Sequence, residues 1–436
     1  MEAIAISAIM LALCSCSMSL REEWKVQGTI KVLYSSEQLF MKEYGNLIRN
    51  EFPELDIRVV GYEDLTVAGG DYLPLLRERI EKEQPDLMGL FSPLYEQLAE
   101  EGKLYDLELL TGEDKLELQD FHPGMLQLIR GKAAGKLYGM SPTFNNMGIF
   151  YNKDLFNQYE IDYPKDRMTW EELFLLAGRF AGLKAADGTP IYGYAHFTDN
   201  PYQLIEWVGR TQGLSATDAA VSRANLYTES WRKTAESVIA AYRSGAVYSG
   251  EGASNPFLSG KAAMAIGGSY MIPLIERTRT DNELSFDISD WGIVTAPVDG
   301  ADPDSTVYAV PSLLFAINGN TPQLRTDAAV MQFLLSDKLT RSRTLLLDAL
   351  PMKERLLSDP EGRNFQAFYA LAPVDATSSP MREAFSMAMQ AESRSDMEEA
   401  LKGGITTDEA WRRIQDKALE VLVRIGAEEG ERNEDK

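Results

Sequence analysis

The chain has 436 residues, 44% hydrophobic and 25% charged, with 66 acidic against 43 basic side chains and a formal net charge of −23. That length is beyond what a single hydrophobic core usually serves, so two domains are expected, and the composition is that of a globular protein. A surface this acidic repels phosphate backbones and anionic headgroups, which argues against nucleic acid as a partner.

Both cysteines, Cys14 and Cys16, lie near the amino end, so the body offers no disulfide, thiolate metal site or cysteine nucleophile. The apolar run Ala3 to Leu13 has the length of a signal-peptide core and is too short to span a bilayer. It leads into Leu13-Cys14-Ser15-Cys16, which resembles a bacterial lipobox with small Ser15 just before Cys16. Cys16 is therefore the expected lipidation site and membrane anchor, and residues 1–16 the expected signal peptide. The opening Met1-Glu2 carries no Lys or Arg, unlike the usual basic start of such a segment.

From Gly28 the chain alternates strands and helices. Ile30 to Leu33 reads as a strand, and Phe40, Tyr44, Leu47 and Ile48 form one helical stripe that Pro53 ends. Leu55 to Val60 and Leu87 to Phe91 read as further strands, with helices around Leu75–Ile80 and Leu94–Glu101, the last stopped by Gly102. Such alternation predicts a largely parallel sheet flanked by helices.

A second set begins near Gly139. Met147 to Tyr151 is strand-like, and Thr169-Trp170-Glu171-Glu172 is a capping box that opens a helix. Trp207 and Trp231 fall in helical patterns. Phe257 to Lys261 reads as a helix end leading into a strand Ala262–Ile266, with a Gly267-Gly268 turn and Ser269 as cap of a short helix before Pro273. Extended segments follow at Trp291–Val298 and Tyr308–Ile317, then a helix over Ala328–Leu335. Thr406 and Glu409 form another capping box ahead of the stripe Trp411, Ile414, Ala418, Val421 and Leu422. Residues 429–436 are expected to form a flexible tail.

The search for catalytic chemistry is mostly negative. Only His122 and His196 are available, both read as surface or turn residues, and no H-E-x-x-H, G-x-S-x-G, Walker or G-x-G-x-x-G pattern occurs. Paired carboxylates for glycoside hydrolysis are always available among so many acids, which makes them a weak signal. No metal and no cofactor is expected.

Several segments resemble the extracellular solute-binding proteins of ATP-driven importers, in particular the carbohydrate-type branch. They are Gly135-Lys136-Leu137-Tyr138-Gly139-Met140-Ser141-Pro142 with the following Met147 to Phe156, and Phe257 to Tyr270 (FLSGKAAMAIGGSY). Pro85 to Leu104, Trp291 to Pro297, Tyr308 to Ile317 with Ala328–Leu335, and Leu401 to Leu422 add to it in the family's order. The resemblance implies an α/β, two-lobed periplasmic-binding-protein-like fold, each lobe a mostly parallel sheet with flanking helices and a hinge between. It places lobe one at 28–140 plus 310–350 and lobe two at 142–307 plus 354–428. It also implies a carbohydrate-like solute, no cofactor, and ABC-transporter permease subunits as partners at the outer face of the cell membrane. Rival readings are a secreted glycan hydrolase and a module presenting its ligand state to a membrane sensor kinase. Where many sugar-binding members carry tryptophan after the first strand, this chain has Tyr34-Ser35-Ser36-Glu37, and Tyr270 stands where tryptophan often follows the glycine-rich turn.

Ligands of such sheets bind beyond the carboxyl ends of strands. That rule selects Ser35, Ser36, Glu37 and Ser92 in lobe one, and Asn145, Asn146, Gly268, Ser269 and Tyr270 in lobe two, with Trp207 as a further aromatic candidate. Hydroxyls and amides suit polyhydroxylated solutes, and an aromatic face suits the C–H face of a sugar ring. Ser36 and Ser269 have helix capping as an alternative role, Glu37 a helix-terminal charge, and Trp207 core packing.

Overall fold

The computed structural model describes residues 25–67, 72–196, 200–218, 220–248, 255–280, 288–344, 349–375 and 380–434. Strands β1 (Gly28–Tyr34), β2 (Leu55–Gly61) and β3 (Leu87–Leu90) alternate with helices and lie parallel, β1 in the middle. Strand β4 (Gly139–Met140) closes the series. The chain then passes through β5 (Thr143–Asn145) into β6 (Met147–Asn152), β7 (Tyr192–Ala195), β8 (Ala262–Gly268) and β9 (Trp291–Thr295). It continues through β10 (Ser305–Thr306) and returns through β11 (Val310–Pro311) to β12 (Leu314–Ile317). It crosses again at β13 (Leu350–Pro351), and β14 (Ala372–Pro373) pairs with β10.

Two large sheets result. The first has the order β2-β1-β3-β12-β4, with β12 antiparallel to both neighbours; the second has the order β7-β8-β6-β9. In the second, only β7 and β8 are parallel neighbours, because β6 leads away from the crossing while β8 and β9 run back toward it. A three-stranded antiparallel sheet, β11-β5-β13, joins the two.

Side-chain alternation explains how the second sheet is covered on both faces. Ile149, Met264, Ile266 and Val294 face one core, with Trp170, Trp231 and Trp411 from the helices that cover it. Phe150, Ala265 and Ile293 face the other, against the helix Met271–Thr280, in a core continuous with that of the first sheet. Close approach needs glycine twice here. A Cβ on Gly193 would stand 2.1 Å from the Ala177 carbonyl oxygen, and one on Gly209 would enter the Trp231 ring.

Local signals mostly hold, with some exceptions. The Thr169–Glu172 capping box is complete, and at Thr406 the hydroxyl accepts the Glu409 N–H at 3.1 Å. The extended stretch 308–317 splits at Ser312 and Leu313 into β11 and β12, because it serves two sheets. Phe257 to Gly260 is a turn rather than a helix end, with Gly260 at φ +68°. The helix after Ser269 runs ten residues through Pro273, which is tolerated in a first turn. The last helix extends to Glu434, through much of the segment expected to fray, since each residue added to a nucleated helix gains a backbone bond. Cys14, Cys16 and the apolar run lie outside the described residues. Among the described residues no helix is long and apolar enough to cross a membrane.

One buried acid makes the fold sensitive to pH. Asp327, in the helix Leu324–Leu334, is 0% exposed. Burial pushes its carboxyl up to about 7 against the opposing Thr321 hydroxyl bond, and Asp86 nearby adds to the rise. The folded chain therefore prefers the protonated acid. That contribution is complete below the unfolded carboxylate value and is lost as pH rises through the folded one. Asp327→Asn, a neutral isostere, is expected to gain on wild type by about 2 kcal/mol between about pH 5 and about pH 7.5. Urea unfolding at both pH values checks it; a pH-independent difference would show that Asp327 titrates normally.

Candidate functional site

Strand register brings the carboxyl ends of both large sheets to the crossing. Leu314 pairs with Leu90, so Phe91 and Ser92 emerge beside Ser312. Val310 pairs with Asn145, and two residues further along Met147 pairs with Gly268. Within a few residues of β5, therefore, the chain exits of β3 and β8 converge. The Asn145 side-chain amide donates to the Ser312 hydroxyl at 3.3 Å, tying two of the crossings at an exposed position.

The first-sheet candidates cluster at loop exits. Ser35 and Ser36 are half-buried and Glu37 is exposed. The Ser35 carbonyl accepts the N–H groups of Tyr62 and Glu63, each at 2.9 Å, which holds the β1 exit against the β2 exit. Ser36 occupies the N-cap position, yet its hydroxyl makes no cap bond. Ser92 begins its helix, and its hydroxyl donates to Glu96 at 2.9 Å. Phe91, passed over as the last residue of a strand, is 56% exposed. An exposed aromatic at the carboxyl end of a parallel strand is the signal that could have found it.

On the second sheet, Tyr270 is half-exposed and its ring lies across Gly268, where an added Cβ would stand 3.0 Å from it. Burial first, and then the nearby hydroxyls of Tyr242, Tyr308 and Tyr270, hold the Tyr194 phenol well above its ordinary range. Tyr194 in turn lies 3.2 Å, hydroxyl to Nδ1, from His196. The His196 ring meets Trp207 edge-on at 5.2 Å between centroids, and Trp207 meets Tyr308 at 5.9 Å. The Tyr308 hydroxyl is 2.7 Å from that of Thr211, which also accepts the Trp170 indole N–H at 3.1 Å. Trp207 is thus neither plain core nor free surface but half-buried in a row of rings with His196 and Tyr308.

Four of the residues singled out in the sequence sit as follows. His196 is buried rather than a surface turn, and burial lowers its pKa to about 4, so the imidazole is neutral at pH 7. His122 caps the helix Pro123–Gly131 by accepting the Met125 N–H, and burial lowers its pKa as well. Asn146 is a support, not a wall: it is buried, its amide donates to the Phe368 carbonyl at 2.7 Å, and its oxygen accepts the Met147 N–H at 2.8 Å. Ser269 does not cap through its side chain: its hydroxyl is buried without a hydrogen-bond partner. On the side of the second sheet the accessible rings are Tyr270 and, in part, Trp207, with Tyr194, His196 and Tyr308 buried. Among the described residues no group of three or more His, Cys, Asp or Glu side chains could hold a metal ion, and no hydrogen bond, ion pair or ring contact joins Ser35–Glu37 to Tyr270.

Two helix-flanked sheets, linked by short crossing strands and meeting at their strand ends, define a two-lobed fold. Residues 68–361 match the model of the bacterial extracellular solute-binding proteins, and the chain belongs to that family. Its place is accordingly extracytoplasmic. No curated protein matches the sequence significantly. Among solved structures, an extracellular solute-binding protein from Alicyclobacillus acidocaldarius is 16% identical at a TM-score of 0.68, covering 91% of this chain and 98% of that one. The sugar-binding protein MalE of Xanthomonas citri is 15% identical at a TM-score of 0.67, with 91% and 98% covered. An ABC substrate-binding protein of Listeria monocytogenes in complex with cycloalternan is 17% identical at a TM-score of 0.61, with 92% and 99% covered. At these identities the likeness is one of fold.

The Tyr270 ring depends on the bare backbone beneath it. Gly268→Ala is expected to displace the ring and weaken solute binding at least about tenfold, while the unfolding midpoint stays near that of wild type. Titration calorimetry with a solute found by screening checks it; unchanged affinity would mean that the ring position is immaterial.

Proposed function

We propose that the protein captures an uncharged polyhydroxylated solute, a sugar or oligosaccharide, between its lobes and delivers it to the permease of an ATP-driven importer. The observation that carries this reading is the pair of accessible rings on the side of the second sheet, half-exposed Tyr270 and half-buried Trp207, the latter backed by the buried, uncharged rings of His196 and Tyr308. Aromatic faces stack on sugar C–H faces, and phenol hydroxyls both donate and accept. Structural relatives named for cycloalternan and raffinose complexes agree with this choice of solute. The wall from lobe one comprises Ser35, Ser36, Glu37, Phe91 and Ser92, and the floor Asn145 with Ser312.

The lobes on this reading are 28–140 plus 310–350 and 142–307 plus 354–428, turning about β5, β11 and β13. Few backbone torsions need to change for such a motion. A solute favours the closed form only by touching both lobes at once. A thermal-shift screen over sugars should identify it, since a ligand at 100 times its Kd adds about 2.7 kcal/mol of stability. With that solute, small-angle scattering is expected to show contraction, and Tyr270→Ala to bind at least about tenfold more weakly. Tight binding without contraction, or equal binding by the variant, rules the clamp out.

The anchor is proposed to be a lipid on Cys16, supported by Ser15 before it and the apolar run behind it. Metabolic labelling with a lipid precursor is expected to mark wild type and not Cys16→Ala; equal labelling would remove the assignment.

A further inference from the structure

The joining sheet has two faces, and strand register tells them apart. Asn145 pairs with Val310 and both are exposed, whereas Phe144 pairs with Leu350 and both are buried. The exposed face is the floor of the proposed cleft. The other face is covered: the Tyr369 ring meets Phe144 edge-on at 5.2 Å between centroids, and the His122 ring lies against both. The Tyr369 hydroxyl also donates to the Pro351 carbonyl at 2.8 Å.

Behind this covered face the two lobes meet a second time. The helix Pro123–Gly131 belongs to lobe one, and residues 372–375, tied through β14 to β10, belong to lobe two. Pro373 lies on the first turn of the helix, where a Cβ on Gly124 would stand 2.6 Å from the proline ring. That end of the helix sits at the hinge, with the His122 N–H donating to the Met352 carbonyl at 2.7 Å. A helix of nine residues is about 13 Å long, so Lys132, just past its far end, stands well away from the pivot. There the Lys132 ammonium donates to Glu96 of its own lobe at 2.8 Å and to Asp375 of the other at 2.9 Å.

A contact at the pivot survives rotation; one a helix length away does not. Turning about the joining sheet so as to narrow its exposed face widens the gap behind its covered face. The Lys132–Asp375 pair is therefore made only while the cleft is open, and an interaction made in one of two states weights the equilibrium toward that state. Exposure makes the pair reversible. The Lys132 side chain is 11% exposed and that of Asp375 43%. When Asp375 leaves, its carboxylate passes into water and Glu96 still pairs the ammonium, so no half-buried charge is stranded. An ion pair this open to water contributes modestly, enough to bias the two states without freezing one.

Resting on the hinge reading above, we propose that Lys132 and Asp375 form a latch behind the hinge, which holds the ligand-free protein open and breaks when the cleft closes. The first probe is a water-soluble carbodiimide, which joins an amine and a carboxylate in contact as an amide and carries off the oxygen as its urea. On the ligand-free full chain, mass spectrometry is expected to find Lys132 linked to Asp375 as well as to Glu96. Asp375→Asn is expected to lose the first link and keep the second. In small-angle scattering without ligand, Asp375→Asn is expected to have a smaller radius of gyration than wild type. Asp375→Lys, which sets two ammoniums side by side, is expected to contract further. Asp375 is exposed, so neither change disturbs a core. The latch is overturned if Lys132 links to Glu96 alone, or if both variants keep or exceed the radius of wild type. The hinge reading is judged separately, by contraction of wild type with its sugar, so a latch that fails in a protein that still contracts leaves that reading standing.

Discussion

Everything in this molecule turns on β5. Its three residues pair on one side with β11 and on the other with β13, so a single short strand carries both return crossings of the chain. A sheet so small can bend where the large sheets on either side cannot, because those are packed to native density and resist deformation. The same register that joins the halves also aims the strand exits of both at one place. Hinge and site are therefore one geometric fact.

Around that hinge, groups divide sharply between support and wall. Asn146 is spent on Phe368 and Met147 and locks the start of β6, whereas Asn145, its neighbour, is exposed and bonded to Ser312. Gly268 contributes no side chain, yet its bare Cα lets the Tyr270 ring lie flat. Ser269 is buried, whereas Tyr270, its neighbour, is half-exposed. For Asn145 and Asn146, alternation along an extended backbone is enough to produce the distinction.

Electrostatics of the aromatic row run counter to those of the whole protein. The chain carries a net charge of −23, but the row Tyr194, His196, Trp207 and Tyr308 is uncharged at neutral pH: phenols are protonated there in any case, and burial keeps the imidazole unprotonated. A neutral polar solute loses little to long-range repulsion on approaching the half-exposed Tyr270 ring beside such a neutral interior. The acidity of the surface and the neutrality of the site are separate properties, with separate consequences for solubility and for selection.

By itself the sequence determined the local elements and their order. The β1, β2 and β3 strands, the Thr169 capping box, the core positions of Trp170, Trp231 and Trp411, and the glycine-rich exit before Tyr270 are all legible, because each depends on side-chain period or capping chemistry within a few residues. Only the tertiary structure decided that stretch 308–317 divides between two sheets, that His196 is buried in a row of rings, that Asn146 is consumed by Phe368, and that the Ser269 hydroxyl is buried. Each of those outcomes depends on a partner far along the chain, 222 residues away for Asn146. A local pattern says which residues can donate, accept or stack; which of them are left free to do so is set by what the rest of the chain brings beside them.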